Sequence, residues 1–408
     1  MRYDVIVVGA GPSGSTAARE CASLGLSALM LDKAEFPRDK PCGGAVMVRA
    51  ANLLPFDLSP VSERTIFGMN LSRRSEGFTR RSPEELVYLT QRRHLDAFLA
   101  ERAVDAGVTF RQRAPIRGVE RHDTHVVVRT DDETFEASTL VAADGANGQT
   151  AKLAGVDAGL LKAIALEGNL TPTGEFPAEW EDVLGLDLGH PSGGYGWIFP
   201  KGDHLNIGLG GWQYLGPSLR SRLNELVRFY GFDPAQIWGV RGHHLPMRSS
   251  SSPLVDGNFL LVGDAAGLLD PMTGEGIHAA IWSGRAAAKH LAAYAAGEEP
   301  DLAGYRRDVE EELVSDLRVA RRFHDLFHLT PGMYLGIEQM TSILWRLICP
   351  IMRGEQTYAN VMIEHPFLGD IVEFVSDLVR VSPFLQRRSG LRDPVPPSRF
   401  FVGDAQHQ

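Results

Sequence analysis

Cys42 stands between Pro41 and a pair of glycines, Gly43 and Gly44. Glycines on one side let the backbone of that loop lie close against a flat ligand. Further along, Tyr195-Gly-Trp197-Ile-Phe199-Pro200-Lys201 alternates large rings with smaller residues. A strand's period of two puts Tyr195, Trp197 and Phe199 on one face. Such a face makes either ordinary core or a flat, dry wall for an apolar substrate. Cys42 has two readings as well: inert packing, or an active-site group set against a cofactor.

Two glycine motifs define that cofactor. Gly9-Ala-Gly11-Pro-Ser-Gly14 follows the apolar run Val5-Ile6-Val7-Val8, and Gly263-Asp264-Ala-Ala-Gly267 follows Phe259-Leu260-Leu261-Val262. Each reads as a buried strand, a glycine turn and a helix. Gly9 permits the tight turn, Gly11 lets backbone approach a pyrophosphate, and Gly14 lets the helix pack close to the sheet. The helix that follows offers its first amides to the phosphates. The strand Ala28-Leu29-Met30-Leu31 ends in Asp32, about 20 residues after the fingerprint, where a carboxylate accepts ribose hydroxyls. Asp264 suits the ribityl or pyrophosphate region. Gly274, Gly276 and Ile277 lead into a long helix predicted through about residue 296, whose first amides suit the flavin edge that gains negative charge on reduction. The same two glycines also serve simply to start a helix. Together, and in this order, the motifs point to FAD and flavin redox chemistry.

The elements that must position these residues are readable too. A helix over Ser15 to Leu24 is ended by Gly25. Another opens at Arg92 and continues to about Ala106. Strands at 126–128 and 140–143 follow, and the second runs into a turn at Asp144. In doubly wound sheets that edge faces the ligand, which makes Asp144 a cofactor candidate. Residues 156–250 alternate strand-like runs with glycine and proline turns, the pattern of an antiparallel sheet. From about Glu310 the chain is helical, interrupted at Pro331, Gly332 and Pro350, and rich in large apolar side chains such as Phe323, Phe327, Trp345 and Ile348. That region reads as core, as a tunnel for a long lipid tail, or as a patch resting on a membrane. The fold class expected is α/β: a Rossmann-like FAD-binding domain from residues 1–155 and 251–309, an inserted antiparallel β-sheet substrate-binding domain at 156–250, and a mainly helical C-terminal region at 310–408.

Composition sets bounds. A chain of 408 residues holds two or three structural units. A formal charge of -10 argues against nucleic acid as a partner. Three cysteines without a Cys-x-x-Cys pair suit a reducing compartment. His243 and His244 are adjacent, so on a strand they face opposite ways, and no metal site is expected. No apolar run approaches the ~20 residues of a membrane span. The expected location is cytoplasmic, with peripheral membrane contact left open.

The two motifs resemble a flavoprotein superfamily that includes aromatic hydroxylases, flavin halogenases and geranylgeranyl reductases. Three stretches are similar to the geranylgeranyl reductase branch. Tyr195 to Lys201 resembles its Tyr-x-Trp-x-Phe-Pro-Lys signature. Pro41-Cys42-Gly43-Gly44 resembles its Cys-Gly-Gly motif, although Ala45 stands where a third glycine is usual. Gly263 to Ile277 resembles its second cofactor motif. The resemblance covers roughly residues 1–300. It implies FAD contacts at Gly14, Asp32, Cys42, Gly43, Arg92, Asp264, Gly276 and Ile277. Arg92 fits an Arg-x-x-Phe-Asp pattern with Leu95 in place of phenylalanine; it implies a charged contact to the phosphates, and a solvated helix residue is the other reading.

The activity implied is saturation of carbon–carbon double bonds in a prenyl chain on a phospholipid, a quinone or a diphosphate. Cys42, Tyr195 and Trp197 are the catalytic candidates, and Tyr195, Trp197 and Phe199 the substrate-binding ones. Cys42, Tyr195 or an ordered water would supply the proton. NAD(P)H or a ferredoxin would supply electrons. The alternatives are a monooxygenase of the aromatic-hydroxylase type and a flavin electron carrier to a quinone pool. The halogenase Trp-x-Trp-x-Ile-Pro signature is missing.

Overall fold

A computed structural model describes residues 2–172, 175–189, 194–249, 251–329 and 331–382. The part of the expected C-terminal region beyond residue 382 lies outside the described residues.

The first unit is built on parallel strands. Val5, Ile6 and Val7 are wholly buried in the strand Arg2–Val8, which pairs in parallel with Ala28–Leu31 on one side and Thr134–Ala142 on the other. Phe259–Leu261 joins in parallel beyond Thr134–Ala142. Strands buried on both faces read as continuous apolar runs, as these four do. Their carboxyl ends lie on one edge, so Gly9, Asp32, Asp144 and Asp264 emerge side by side although the sequence scatters them.

The two motif helices, Pro12–Ser23 and Ile277–Ala295, lie against each other. A Cβ at Gly284 would come within 2.6 Å of the Ser13 carbonyl, so that crossing needs glycine. Gly14 is equally constrained: its Cβ would fall 1.8 Å from the Gly9 carbonyl.

The second unit is a seven-stranded sheet in the order 238–247, 161–170, 205–212, 194–200, 183–187, 68–73, 76–81. It differs from the expected contiguous block in one respect. Gly68–Arg73 and Glu76–Arg81 come from within residues 1–155, and Gly68–Arg73 pairs in parallel with Val183–Asp187, while the other neighbours are antiparallel. That one pairing brings together residues more than a hundred positions apart, so no local pattern announces it. Period two then sorts the side chains. Ile198, Leu205, Ile207 and Leu209 face the helix Leu219–Phe229 through Leu219, Leu223 and Leu226. The opposite face carries Tyr195, Trp197 and Phe199 and, on strand 161–170 beyond 205–212, Ala163, Ala165 and Glu167.

Helices Ser315–Leu329, Pro331–Thr341, Ile343–Arg353, Tyr358–Glu364 and Pro366–Val381 close the space beneath that face. Pro331, expected as a break, is the first residue of the helix Pro331–Thr341, and Gly332 lies inside that helix. Pro350, expected as a break, lies inside Ile343–Arg353; the chain turns instead at Gly354, which has φ +81°. A glycine in the left-handed region is the usual C-terminal stop.

Candidate active site

The carboxyl edge of the parallel sheet, the aromatic face of the second sheet and the C-terminal helices enclose one cavity of about 740 Å3. Every candidate catalytic, substrate-binding or cofactor-binding residue lines it except Gly14, which lies in the first turn of the helix Pro12–Ser23.

The dinucleotide end tests whether FAD fits. Added Cβ atoms at Gly9 and Gly14 would strike backbone, whereas at Gly11 one would meet only the tip of Arg38, 3.8 Å away. The turn is therefore tight behind Gly11 and open in front of it, as close approach of a pyrophosphate requires. Asp32 is held by backbone amides: Ala10 N donates to Oδ2 and Ala34 N to Oδ1, each at 2.8 Å. Across the cavity, Asp264 faces Lys40 at 3.7 Å, and a Cβ on Gly276 would come within 2.8 Å of its carboxylate. The helix starting at Ile277 points its N-terminus into the same space. These residues fit FAD. Asp144 lines the cavity, but its Oδ2 accepts from Gln149 N, Thr150 N and Thr150 Oγ1 at 2.7–2.9 Å, capping the short helix Thr150–Leu153.

The loop at Cys42 is clamped from several sides. Lys201, 2% exposed, donates to the Gly43 carbonyl at 2.6 Å and to the Thr90 carbonyl at 3.0 Å. Glu167 Oε1 accepts from Cys42 N at 2.7 Å, and the Cys42 sulfur accepts from Gly44 N at 3.3 Å. Both glycines are required by geometry. A Cβ at Gly43 would sit 2.7 Å from the Phe199 ring, and Gly44, at φ +68°, would press on the Thr90 carbonyl at 1.9 Å. Ala45 begins the short strand Ala45–Met47, whose backbone is ordinary extended chain, so the missing third glycine costs nothing there.

Arg92 is buried beneath this loop. Its guanidinium is bidentate to Asp96 at 2.7 and 2.9 Å and shares Asp96 with Arg38. It is not solvated, and it lines the cavity beside the cysteine loop.

The aromatic wall is braced. Trp197 Nε1 donates to Asn206 Oδ1 at 2.8 Å, and Asn206 Nδ2 to Asn169 at 3.1 Å. The Tyr195 hydroxyl donates to the Thr273 carbonyl, tying the wall to the second cofactor motif. That motif's turn is fixed in turn by Arg49, which bonds Asp270 at 2.9 Å and Glu275 at 2.7 Å, with Tyr358 donating to Asp270 at 3.1 Å.

Burial dominates the electrostatics. It pushes the Glu167 carboxyl above its ordinary value, against the opposing pull of the Cys42 amide and Lys201. It lowers Lys201 to about 8. His243, in the cavity, is lowered to about 4 by burial, then by Lys40, and so is neutral at pH 7. Its neighbour His244 turns the other way and bonds Asn147 at 2.8 Å. Cys21 and Cys349 are buried away from the site, each thiol raised to about 12 by burial.

Sequence reasoning did not single out Glu167, Asn206 or Gly208. Gly208 had a readable signal: it follows the aromatic strand in a glycine-rich run, and a Cβ there would meet the Trp197 indole at 2.2 Å. Lys201 was seen only as the last residue of a signature.

A family model described as an FAD binding domain matches residues 2–168. The geranylgeranyl diphosphate reductase of Rhodobacter capsulatus is 31% identical over 80% of this chain and 85% of its own. The menaquinone reductase of Mycolicibacterium smegmatis is 31% identical over 71% of this chain and 76% of its own. Among solved structures, a geranylgeranyl bacteriochlorophyll reductase-like protein of Thermoplasma acidophilum shares the fold, with a TM-score of 0.70 at 24% identity over 92% of this chain and 99% of its own. A cavity bounded by both cofactor motifs defines an FAD-dependent oxidoreductase. The chain belongs to the geranylgeranyl reductase family of these flavoproteins.

Proposed function

We propose that this protein saturates carbon–carbon double bonds of a prenyl chain carried on a lipid or quinone. The observation that carries the reading is the continuity of one cavity. It runs from the dinucleotide turn, past the Cys42 loop and the aromatic wall, to Leu344, Ile348, Ile351 and Val361 on the C-terminal helices. An isolated alkene has no carbonyl to hold developing charge, so the site must align the reacting groups closely and exclude water. Rings braced by Asn206 and a loop clamped by Lys201 serve that alignment. Gly11, Asp32, Asp264 and Gly276 would hold FAD, which when bound supplies hydride. Its electrons come from NAD(P)H or a reduced ferredoxin.

Relatives 31% identical to this chain bear the names geranylgeranyl diphosphate reductase and menaquinone reductase, which favours prenyl substrates over aromatic hydroxylation. Such substrates reside in membranes, and we place the protein at a bilayer surface rather than across it. No helix among the described residues is long and apolar enough to span one. Helix Pro366–Val381 instead exposes Phe367, Ile371, Phe374 and Leu378, with Ile363 beside it, while Val372 and Val379 are wholly buried. Spacings of four, three and four put the exposed set on one helical face. The test is to add prenyl-bearing lipids and menaquinone to reduced protein without oxygen and follow the flavin spectrum. Reoxidation by the prenyl compounds supports the reading; reoxidation only when oxygen is admitted overturns it.

A further inference from the structure

The reaction proposed above needs an acid, and the cavity holds several carboxyl groups already committed elsewhere. Asp32 is held by two backbone amides at the dinucleotide end. Asp144 caps a helix. Glu275 is paired with Arg49. Asp264 faces Lys40. Glu167 differs, because it projects from the substrate sheet on the same face as Trp197 and Phe199, in line with Ala163 and Ala165. Those two alanines leave room beside it for a chain to lie along the strand.

We propose that Glu167 is the proton donor of the proposed reductase reaction, delivering its proton to the alkene carbon next to the one that receives hydride. The inference rests on the prenyl-reductase reading. The O–H bond of the Glu167 carboxyl breaks, and the π electron pair of the alkene forms the new C–H bond. The adjacent carbon accepts hydride from reduced flavin, which is thereby oxidised by two electrons while the alkene is reduced by two. The carboxylate left behind recovers its proton from water.

The surroundings suit a carboxyl that keeps its proton until it is needed. Burial favours the neutral acid. Burial outweighs the opposing pull of Lys201 and Arg92, whose own hydrogen bonds go to two carbonyls and to Asp96. Cys42 faces it through its amide, Asn206 through its side chain, and Arg241 is its register neighbour on the adjoining strand. Of the proton sources named from the sequence, Tyr195 is raised far above its ordinary value by burial, and its proton is directed at Thr273.

Glu167→Gln keeps an oxygen that can accept from Cys42 N and removes the acid. In the FAD-loaded enzyme it should slow prenyl reduction by about 100-fold or more, with FAD affinity and the rate of flavin reduction unchanged. In the cofactor-free protein, an infrared pH titration should lose the carboxyl band that ionises above the ordinary glutamate range, a readout independent of turnover. Glu167→Ala should lose both the proton and the loop contact. If Glu167→Gln turns over like the native enzyme, or the infrared band survives in it, the assignment is wrong and Glu167 only holds the loop. If the native enzyme saturates no prenyl chain, the functional reading itself fails and takes this role with it.

Discussion

The side chain of Lys201 and the carbonyl of Gly43 are joined at 2.6 Å, linking the end of the aromatic strand to the cysteine loop. This buried amine is a side-chain donor to two carbonyls, those of Gly43 and Thr90. Lys201→Met should leave both unsatisfied, at a cost of about 2 kcal/mol or more, and free the loop. The expected result is a lower melting temperature and reduced kcat with FAD still bound.

The same lysine has a pH signature. Burial lowers its folded value to about 8, below that of the unfolded chain. Between pH 8 and the ordinary lysine range the unfolded state therefore binds more protons. Stability contributed by this group rises with pH through that window and is lowest below it. Denaturant titrations across the window should show the rise in the native protein and not in Lys201→Met.

Gly11 and Gly14 should separate binding from folding. A side chain at Gly14 meets backbone at 1.8 Å, while one at Gly11 enters open cavity. Gly11→Val should fold and lose FAD, read by flavin fluorescence and circular dichroism. Gly14→Val should not fold.

Gly208→Ala tests the wall. The added methyl overlaps the Trp197 indole, and relief of such overpacking typically costs 1–3 kcal/mol. The ring must swing away from Asn206. Prenyl turnover should fall while FAD affinity stays native, because Gly208 lies on the substrate sheet and not at the dinucleotide turn.

Phe367→Glu with Ile371→Glu should abolish cosedimentation with phosphatidylcholine vesicles and leave reduction of detergent-dispersed substrate unchanged. Undiminished vesicle binding would remove the membrane surface from the account.

What the sequence made legible was local. Strand, glycine turn and helix are set by neighbours, so both cofactor motifs were readable, and period two put Tyr195, Trp197 and Phe199 on one face. What escaped was long-range. Glu167 in Ala-Leu-Glu-Gly-Asn looks like a solvated carboxylate on an alternating strand until Cys42, 125 positions earlier, is brought to it. Nothing in the sequence reveals that Asp96 pairs with Arg38 as well as with Arg92. The strand Gly68–Arg73 carries no mark of its parallel partner at Val183–Asp187. The C-terminal helices were recognisable as apolar, but only their packing under the sheet separates cavity lining such as Leu344 from exposed surface such as Phe367.

The most direct measurement is a single turnover of chemically reduced protein with a geranylgeranyl-bearing lipid in the absence of oxygen, with the product weighed by mass spectrometry. The account predicts a gain of one pair of hydrogens for each double bond saturated, and of one pair of deuteriums when the reaction is run in heavy water, since both the acid proton and the flavin hydride exchange with solvent. No gain without oxygen, and gain of an oxygen atom once air is admitted, would contradict it and mark the protein as a monooxygenase.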